Sequence, residues 1–464
     1  MRKLLILILL IAVQQVFAQG KHIIKSPKVD KRVELLSIVF KLAGNKEYDK
    51  VIVKDYANKV DEHFSPFNNH KVVSFAKELR QNKGISYDAV ASMAIVLNDE
   101  LNPLIDFSKT LPEKRWSEDD ATKFVKLLKD FYKDTECEKF FEESEPLFRE
   151  VEKRFSYVYD KIDLKWYQNF FGTNAEEDFN LIVSLGCGNH NYGPSYTLTN
   201  EKKKVFSVMG TWRTDGTGMS IYKEAEYLPI IVHEFAHSFV NPLNEKYISE
   251  FEQSGKEIYK AIEYEMSHQQ AYGNWEIILN EALVRASVIK YFIDHGEDES
   301  KIQMMLNNES NKGFIWIKGL VAELKTFDND RDKYPTLENY IPNLAVAYKS
   351  FAEKITHFDS QRPKVQTISE FNNNDTNVDS KIKTITINFD RTLAGKGYSV
   401  NYGSKGKFAF PKLDNIYYSD DNKSVVMEVQ LQPDKEYQLV LTGKNFKTEQ
   451  GIPLKTYEVN FKTK

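Results

Sequence analysis

The sequence predicts an α+β protein, a mostly helical body with a small sheet followed by an all-β sandwich. Three observations predict it. Apolar residues recur at helical spacing from about Asp30 to Gly172 and again up to about Phe358. Two short β-branched segments, bounded by glycine and asparagine, fall after Gly172. Beyond Asp359-Ser360-Gln361-Arg362-Pro363-Lys364 the apolar period switches to two.

At the amino terminus, Met1-Arg2-Lys3 precede an apolar run from Leu4 to Val13, and the chain then reaches Val16-Phe17-Ala18. These are the charged, apolar and small-residue zones of a secretory signal peptide, so residues 1–18 are expected to be removed after Ala18. The apolar run is too short to span a bilayer comfortably, and an uncleaved anchor is the alternative. No cysteine follows the site, which gives no indication of a lipoprotein anchor. No later segment has the apolar length of a transmembrane helix. The expected destination is therefore outside the cytoplasm: periplasmic, cell-surface or secreted.

Roughly 440 residues remain after cleavage, enough for two or three domains with a substantial core. Net charge is −4 with both signs interspersed, which is not the basic footprint of a nucleic-acid binder. Only two cysteines occur, Cys137 and Cys187. An exported location permits a disulfide, but two thiols alone do not show that they meet.

Residues 19–172 are expected to form a helical subdomain with a scaffold role. Val33-Glu34-Leu35-Leu36-Ser37-Ile38-Val39-Phe40 and Ala121-Thr122-Lys123-Phe124-Val125-Lys126-Leu127-Leu128 carry its helical pattern. Asn102-Pro103 and Leu111-Pro112 punctuate it, and Ser65-Pro66-Phe67-Asn68-Asn69 is a weaker turn signal. Residues 173–360 open with two strands, Asn180–Leu185 and Val205–Gly210, around the loop Gly186–Pro194, and then return to helix. Residues 364–464 hold the strands of the sandwich: Ile385, Ile387 and Phe389; Val425, Met427, Val429 and Leu431; Tyr437, Leu439 and Leu441; Tyr457, Val459 and Phe461.

The most informative segment is His233-Glu234-Phe235-Ala236-His237, behind Leu228-Pro229-Ile230-Ile231-Val232. On a helix, residues four apart share a face, so two imidazoles converge on one metal ion and Glu234 reaches the same place. With nine histidines in 464 residues, a chance HExxH arises in roughly one such chain in a hundred. Ile230, Ile231, Val232, Phe235, Ala236 and Phe239 are uncharged, so the histidines and glutamate of this helix need buried partners. A metal supplies one for each imidazole. The plainer alternative is a core helix whose histidines are satisfied by ordinary hydrogen bonds.

A catalytic zinc takes three protein ligands and keeps one open position. Glu281, within Asn274-Trp275-Glu276-Ile277-Ile278-Leu279-Asn280-Glu281-Ala282-Leu283-Val284-Arg285-Ala286, is the expected third ligand, because its apolar helix face demands a compensating cation. Arg285, one turn on, is the competing partner. Glu257 is the rival ligand, in the more exposed setting Gln253-Ser254-Gly255-Lys256-Glu257. Glu276 reads as a first-turn charge. His268, His190 and Cys187 remain open.

The stretches His233–Pro242 and Asn280–Ala286 resemble the gluzincins, zinc peptidases with HExxH and a downstream glutamate ligand. They also resemble a family of exported bacterial HExxH proteins of unknown function with a helical amino-terminal region. The resemblance spans roughly residues 30–358. It implies a zincin-like fold, in which an edge strand ahead of the metal helix borders the cleft. It also implies a zinc metallopeptidase acting on protein or peptide substrates, with zinc held by His233, His237 and Glu281. Glu234 is then the general base, taking the proton of a zinc-activated water. Gluzincins often add a tyrosine or histidine at the oxyanion, and Tyr192, Tyr196, Tyr222, Tyr247 and Tyr272 are the candidates. One departure stands out. Thermolysin-like members place an aspartate four residues after the ligand glutamate to support a ligand histidine, and Arg285 stands there instead, leaving that support unassigned.

Leu431-Gln432-Pro433-Asp434-Lys435-Glu436-Tyr437, with Phe461-Lys462-Thr463, resembles the bacterial Ig-like modules appended to exported proteins, over residues 364–464. Such a module implies a spacer or anchor with cell-surface or glycan contacts. The competing expectation for the whole chain is a non-catalytic, exported, zinc-containing protein that binds glycans or proteins.

Overall fold

The computed structural model describes residues 26–50, 52–175, 177–267 and 273–464. The expected signal peptide, His268 and Tyr272 lie outside the described residues. The architecture is α+β, as the periodicity predicts. The chain divides into two units: one draws on the described residues up to Leu243 with Lys290–Gly296 and Arg331–Glu338, the other on those of Asn244–Ile289, Glu297–Asp330 and Asn339–Lys464.

The first unit opens on a strand of two residues, β1 (Lys28–Val29), that the periodicity gave no sign of. Helices follow: α1 (Lys31–Leu42), α2 (Lys54–Phe64), α3 (Lys71–Lys83), α4 (Asp88–Ile95), α5 (Glu118–Asp134), α6 (Cys137–Tyr159) and α7 (Leu164–Phe171). Side chains cap the starts of α1, α3, α5 and α7. Asp30 accepts from the amides of Arg32 and Val33, Ser117 from Asp120, and Asp163 from Lys165 and Trp166. Ser65–Phe67 is a single 3-10 turn where the sequence signals a bend. Gly172 ends α7 at φ 73°, and a Cβ there would lie 2.5 Å from the Pro335 carbonyl, so only glycine fits.

Strands β2 (Asp178–Ser184), β3 (Asn191–Tyr192), β4 (Ser195–Tyr196) and β5 (Lys204–Gly210) join β1 in one sheet of order β1-β2-β5-β3, with β4 also on β5. β1, β2 and β5 run parallel, with Lys28 opposite Ile182 and Ile182 opposite Val208. β3 and β4 run antiparallel to β5 along its other side, with Asn191 opposite Met209 and Ser195 opposite Val205. From Leu181 to Ser184 and from Val205 to Gly210 every residue is buried, the continuous burial typical of parallel strands covered on both faces. This explains why both segments are rich in apolar and β-branched residues.

The chain continues through α8 (Glu224–Lys246), α9 (Ile248–Ser267), α10 (Trp275–Asp294), α11 (Glu299–Asn311), α12 (Ile317–Asn329) and α13 (Leu337–Gln361). α8 is longer than its apolar stretch, and includes Pro229 and Pro242 on either side of the HExxH turn. α10 starts where Asn274 Oδ1 accepts the Ile277 amide at 2.9 Å, with Glu276 in its first turn.

In the second unit, β6 (Val365–Ile368), β7 (Thr384–Phe389), β8 (Val400–Asn401), β9 (Lys412–Tyr418), β10 (Ser424–Gln430), β11 (Glu436–Leu441) and β12 (Tyr457–Lys462) follow the helices. They form two sheets, β6-β7-β10-β9 and β12-β11-β8, antiparallel throughout. Alternate residues of both sheets meet in one apolar cluster that includes Ile385, Ile387, Met427, Leu439, Val459 and Phe461. The period of two in the sequence is this cluster's inward face.

Cys137 and Cys187 are both buried free thiols, so the disulfide that an exported location permits is not formed. Burial pushes the Cys187 thiol up to about 12. Among the described residues, no helix is long and apolar enough to cross a membrane.

Candidate metal centre

On α8 the residues Val232, Ala236 and Val240 are fully buried, and Phe235 and Phe239 nearly so. Phe235 packs edge-on against Tyr167 (4.7 Å between ring centres) and Phe179 (4.8 Å), while Phe239 stacks on Phe171 at 4.9 Å. The Tyr167 hydroxyl donates to the Val232 carbonyl at 2.8 Å. Burying the two phenylalanines contributes about 2 kcal/mol each and fixes the rotation of the helix. At 100° per residue, His233, Glu234 and His237 then share the half-buried opposite face.

His233 Nε2 and His237 Nε2 stand 3.2 Å apart, with the rings nearly perpendicular at 82°. Two nitrogens bound to one tetrahedral zinc are about 3.3 Å apart, given bonds of 2.0–2.1 Å. His233, His237 and Glu281 each offer a ligand atom such that all lie within 4.8 Å of one another. Two imidazoles and a carboxylate are the donor set of a His2Glu zinc site, so the residues present fit that ion. The sequence posed zinc and Arg285 as competing partners of Glu281. Arg285 does engage it, on Oε2 through Nη2 (2.8 Å) and Nε (3.1 Å). Arg285 also binds Glu309 Oε2 at 2.6 Å and lies over the Phe314 ring at 4.8 Å.

The rivals sit elsewhere. Glu257 accepts from Gln253 Nε2 at 3.1 Å in an exposed pair one helical turn apart. Cys187 is packed against Ser37 Oγ at 3.5 Å and is fully buried. His190 lies in the loop before β3, edge-on to Tyr87 at 5.4 Å, and burial with nearby Lys50 lowers its pKa. Of the candidate tyrosines, Tyr222 bonds Thr211 Oγ1 at 3.0 Å and Tyr196 stacks on Phe206 at 5.8 Å. Tyr192 immediately precedes Gly193, at which a Cβ would lie 2.9 Å from Glu234 Oε2. The segment joining β3 to β4 therefore runs against the HExxH glutamate.

The loop that leads from β2 to β3 is anchored by a residue with no signal in the sequence pattern. Glu34, on α1, is fully buried and accepts from Ser184 Oγ (2.7 Å), the amides of Leu185 and Gly186 (2.9 Å each) and Tyr56 Oη (2.8 Å). Burial raises its pKa, against the pull of these four donors. Gly188 abuts the Lys50 carbonyl, and a Cβ on Gly210 would lie 2.5 Å from the His190 carbonyl. A second overlooked residue is Asn241, whose Oδ1 lies 3.1 Å from His237 Nδ1. Its spacing of four from His237 was a signal the sequence did contain.

Together these features define a class: an α+β protein that presents a His-Glu-His helix face and a three-residue group able to hold a metal. The chain belongs to the DUF4932 family, described as a domain of unknown function, which matches residues 26–347. No curated protein matches the chain. Solved structures with local similarity include the S-layer protein rSbsC(31-844), at 13% identity over 50% of this chain and 33% of that one, with a TM-score of 0.16. The N-terminal part of the bacterial S-layer protein SbsC is similar at 14% identity over 51% of this chain and 58% of that one, with a TM-score of 0.17. Domains 1-6 of surface layer protein SbsC are similar at 16% identity over 50% and 33%, with a TM-score of 0.16. The chain thus spans less than two thirds of each of these chains.

Proposed function

We propose that the protein is an exported zinc-dependent metallopeptidase of gluzincin type, with His233, His237 and Glu281 as the ligands and Glu234 as the general base. The observation that carries this reading is the 3.2 Å approach of His233 Nε2 to His237 Nε2 on one helix face, together with Glu281 in the same group. Zinc, when bound, would supply a Lewis acid and a water acidic enough to lose a proton near neutral pH. Glu234 accepts that proton and returns it to the leaving amine. Gly193 leaves room for the Glu234 carboxylate beside β3 and β4. That antiparallel side of the sheet supports a zincin-like arrangement, in which such a strand borders the cleft. The two C-terminal sheets around one core support the Ig-like sandwich as a spacer or anchor.

Metal analysis and a peptide-library assay on wild type and Glu234→Gln test the proposal. Stoichiometric zinc in both proteins with cleavage by wild type alone is the expected result. Equal cleavage by both would overturn the mechanism. A second reading, a zinc-containing binding protein for glycans or proteins, is favoured by Phe408 at 92% exposure and Tyr402 at 55% on the segment between β8 and β9. Bound zinc with no wild-type cleavage of any library would favour it.

A further inference from the structure

We propose that Asn241 is a positioning residue for this centre, accepting the Nδ1 proton of His237 and so holding its imidazole in the tautomer whose Nε2 is a ligand. The inference rests on the metal-centre reading and adds the support that the resemblance left unassigned. A neutral imidazole has one N–H, and a ligand nitrogen cannot carry it. His237 Nε2 faces His233 Nε2 at 3.2 Å, where a proton on both nitrogens would be repulsive. A His237 that serves as a ligand through Nε2 carries its proton on Nδ1, and Nδ1 faces Asn241 Oδ1 at 3.1 Å.

Both residues lie on α8 one turn apart, so the helix itself sets their distance. Metal-bound histidines nearly always donate the other ring N–H to a fixed acceptor. In thermolysin-like proteins an aspartate from the ligand-glutamate helix serves. Here that position is Arg285, which is engaged with Glu281 and Glu309. Asn241 takes the role from the HExxH helix and brings no charge. The opposite amide orientation would donate Nδ2–H to Nδ1, put the proton on Nε2, and take from His237 the Nε2 lone pair that faces His233. The two orientations thus predict different tautomers.

The test uses the full chain labelled with 15N-histidine, metal-free, with His237 assigned by its loss in His237→Asn. Wild type and Asn241→Asp should show His237 protonated at Nδ1, while Asn241→Leu and Asn241→Ala show a mixed or Nε2-protonated ring. In competition with a chelator, zinc affinity should fall 10–100-fold in the Leu and Ala variants and stay within about threefold in the Asp variant. Circular dichroism separates these effects from unfolding. A wild-type ring protonated at Nε2, or an unchanged tautomer in Asn241→Leu, overturns the proposal. The expected tautomers in a wild type that takes up no zinc would uphold the positioning role and overturn the metallopeptidase reading.

Discussion

Arg285 grips a single oxygen of Glu281, Oε2, through two nitrogens at 2.8 and 3.1 Å, and reaches Glu309 Oε2 with a third at 2.6 Å. The three side chains are 12–16% exposed, and Lys312 Nζ reaches the other Glu309 oxygen at 2.7 Å. Arg285→Met should destabilise the metal-free protein by about 1–3 kcal/mol, the cost of removing a charged donor from two partly buried carboxylates. Zinc offers Glu281 a replacement cation, so the variant should gain more from added zinc than wild type does. Thermal unfolding with and without zinc measures both effects, and an equal zinc-induced rise in Tm would separate Arg285 from the ligand carboxylate.

Gly193→Ala isolates the contact with Glu234. The new Cβ would lie 2.9 Å from Glu234 Oε2, the far end of a flexible side chain, so the fold should adjust at little cost. The carboxylate would shift, and displacements near 1 Å in catalytic groups cost up to about 100-fold in rate. Unchanged Tm and zinc content with kcat reduced 10–100-fold is the expected outcome. Full activity would mean that Glu234 works from another rotamer.

The periods of 3.6 and 2 made the helices and the C-terminal strands legible, because each buries a repeating face. Leu439 and Val459 pack inward where alternation placed them. β1 was invisible for the opposite reason: two residues carry no period, and only pairing with Ile182 and Val183 makes Lys28–Val29 a strand. At the centre, the i,i+4 logic that singled out His233 and His237 also reaches Asn241 and Arg285, since one helix fixes each pair. Gly193, Glu34 and Glu309 were not legible. Their roles come from contacts between segments distant in sequence, such as Glu34 with Ser184 and Arg285 with Glu309.

Glu34 predicts a specific pH dependence. Burial raises its pKa above the ordinary value of 4.5. A carboxyl whose folded pKa is raised contributes stability that is fully present below the unfolded pKa and is lost as pH rises through the folded one. Glu34→Gln removes this titration but also forfeits the oxygen that serves two of the four donors, at a cost of about 1–3 kcal/mol for each donor left unpaired. The stability advantage of wild type over Glu34→Gln should therefore be largest near pH 4 and shrink toward neutrality. Urea unfolding of both proteins across that range checks the sign, and an advantage that grows with pH would contradict it.

Glu281 and Glu257 make opposite predictions for zinc. Glu281 offers an oxygen within 4.8 Å of both histidine donors, whereas Glu257 is bonded to Gln253 on an exposed helix surface. Loss of one of three protein ligands removes a metal bond, so Glu281→Gln should lose zinc on dialysis against a weak chelator. Glu257→Gln exchanges one partner of an exposed i,i+4 pair, worth only a few tenths of a kcal/mol, and should retain full zinc and unchanged Tm. Metal content after dialysis decides between them: zinc retained by Glu281→Gln and lost by Glu257→Gln would move the third ligand to α9.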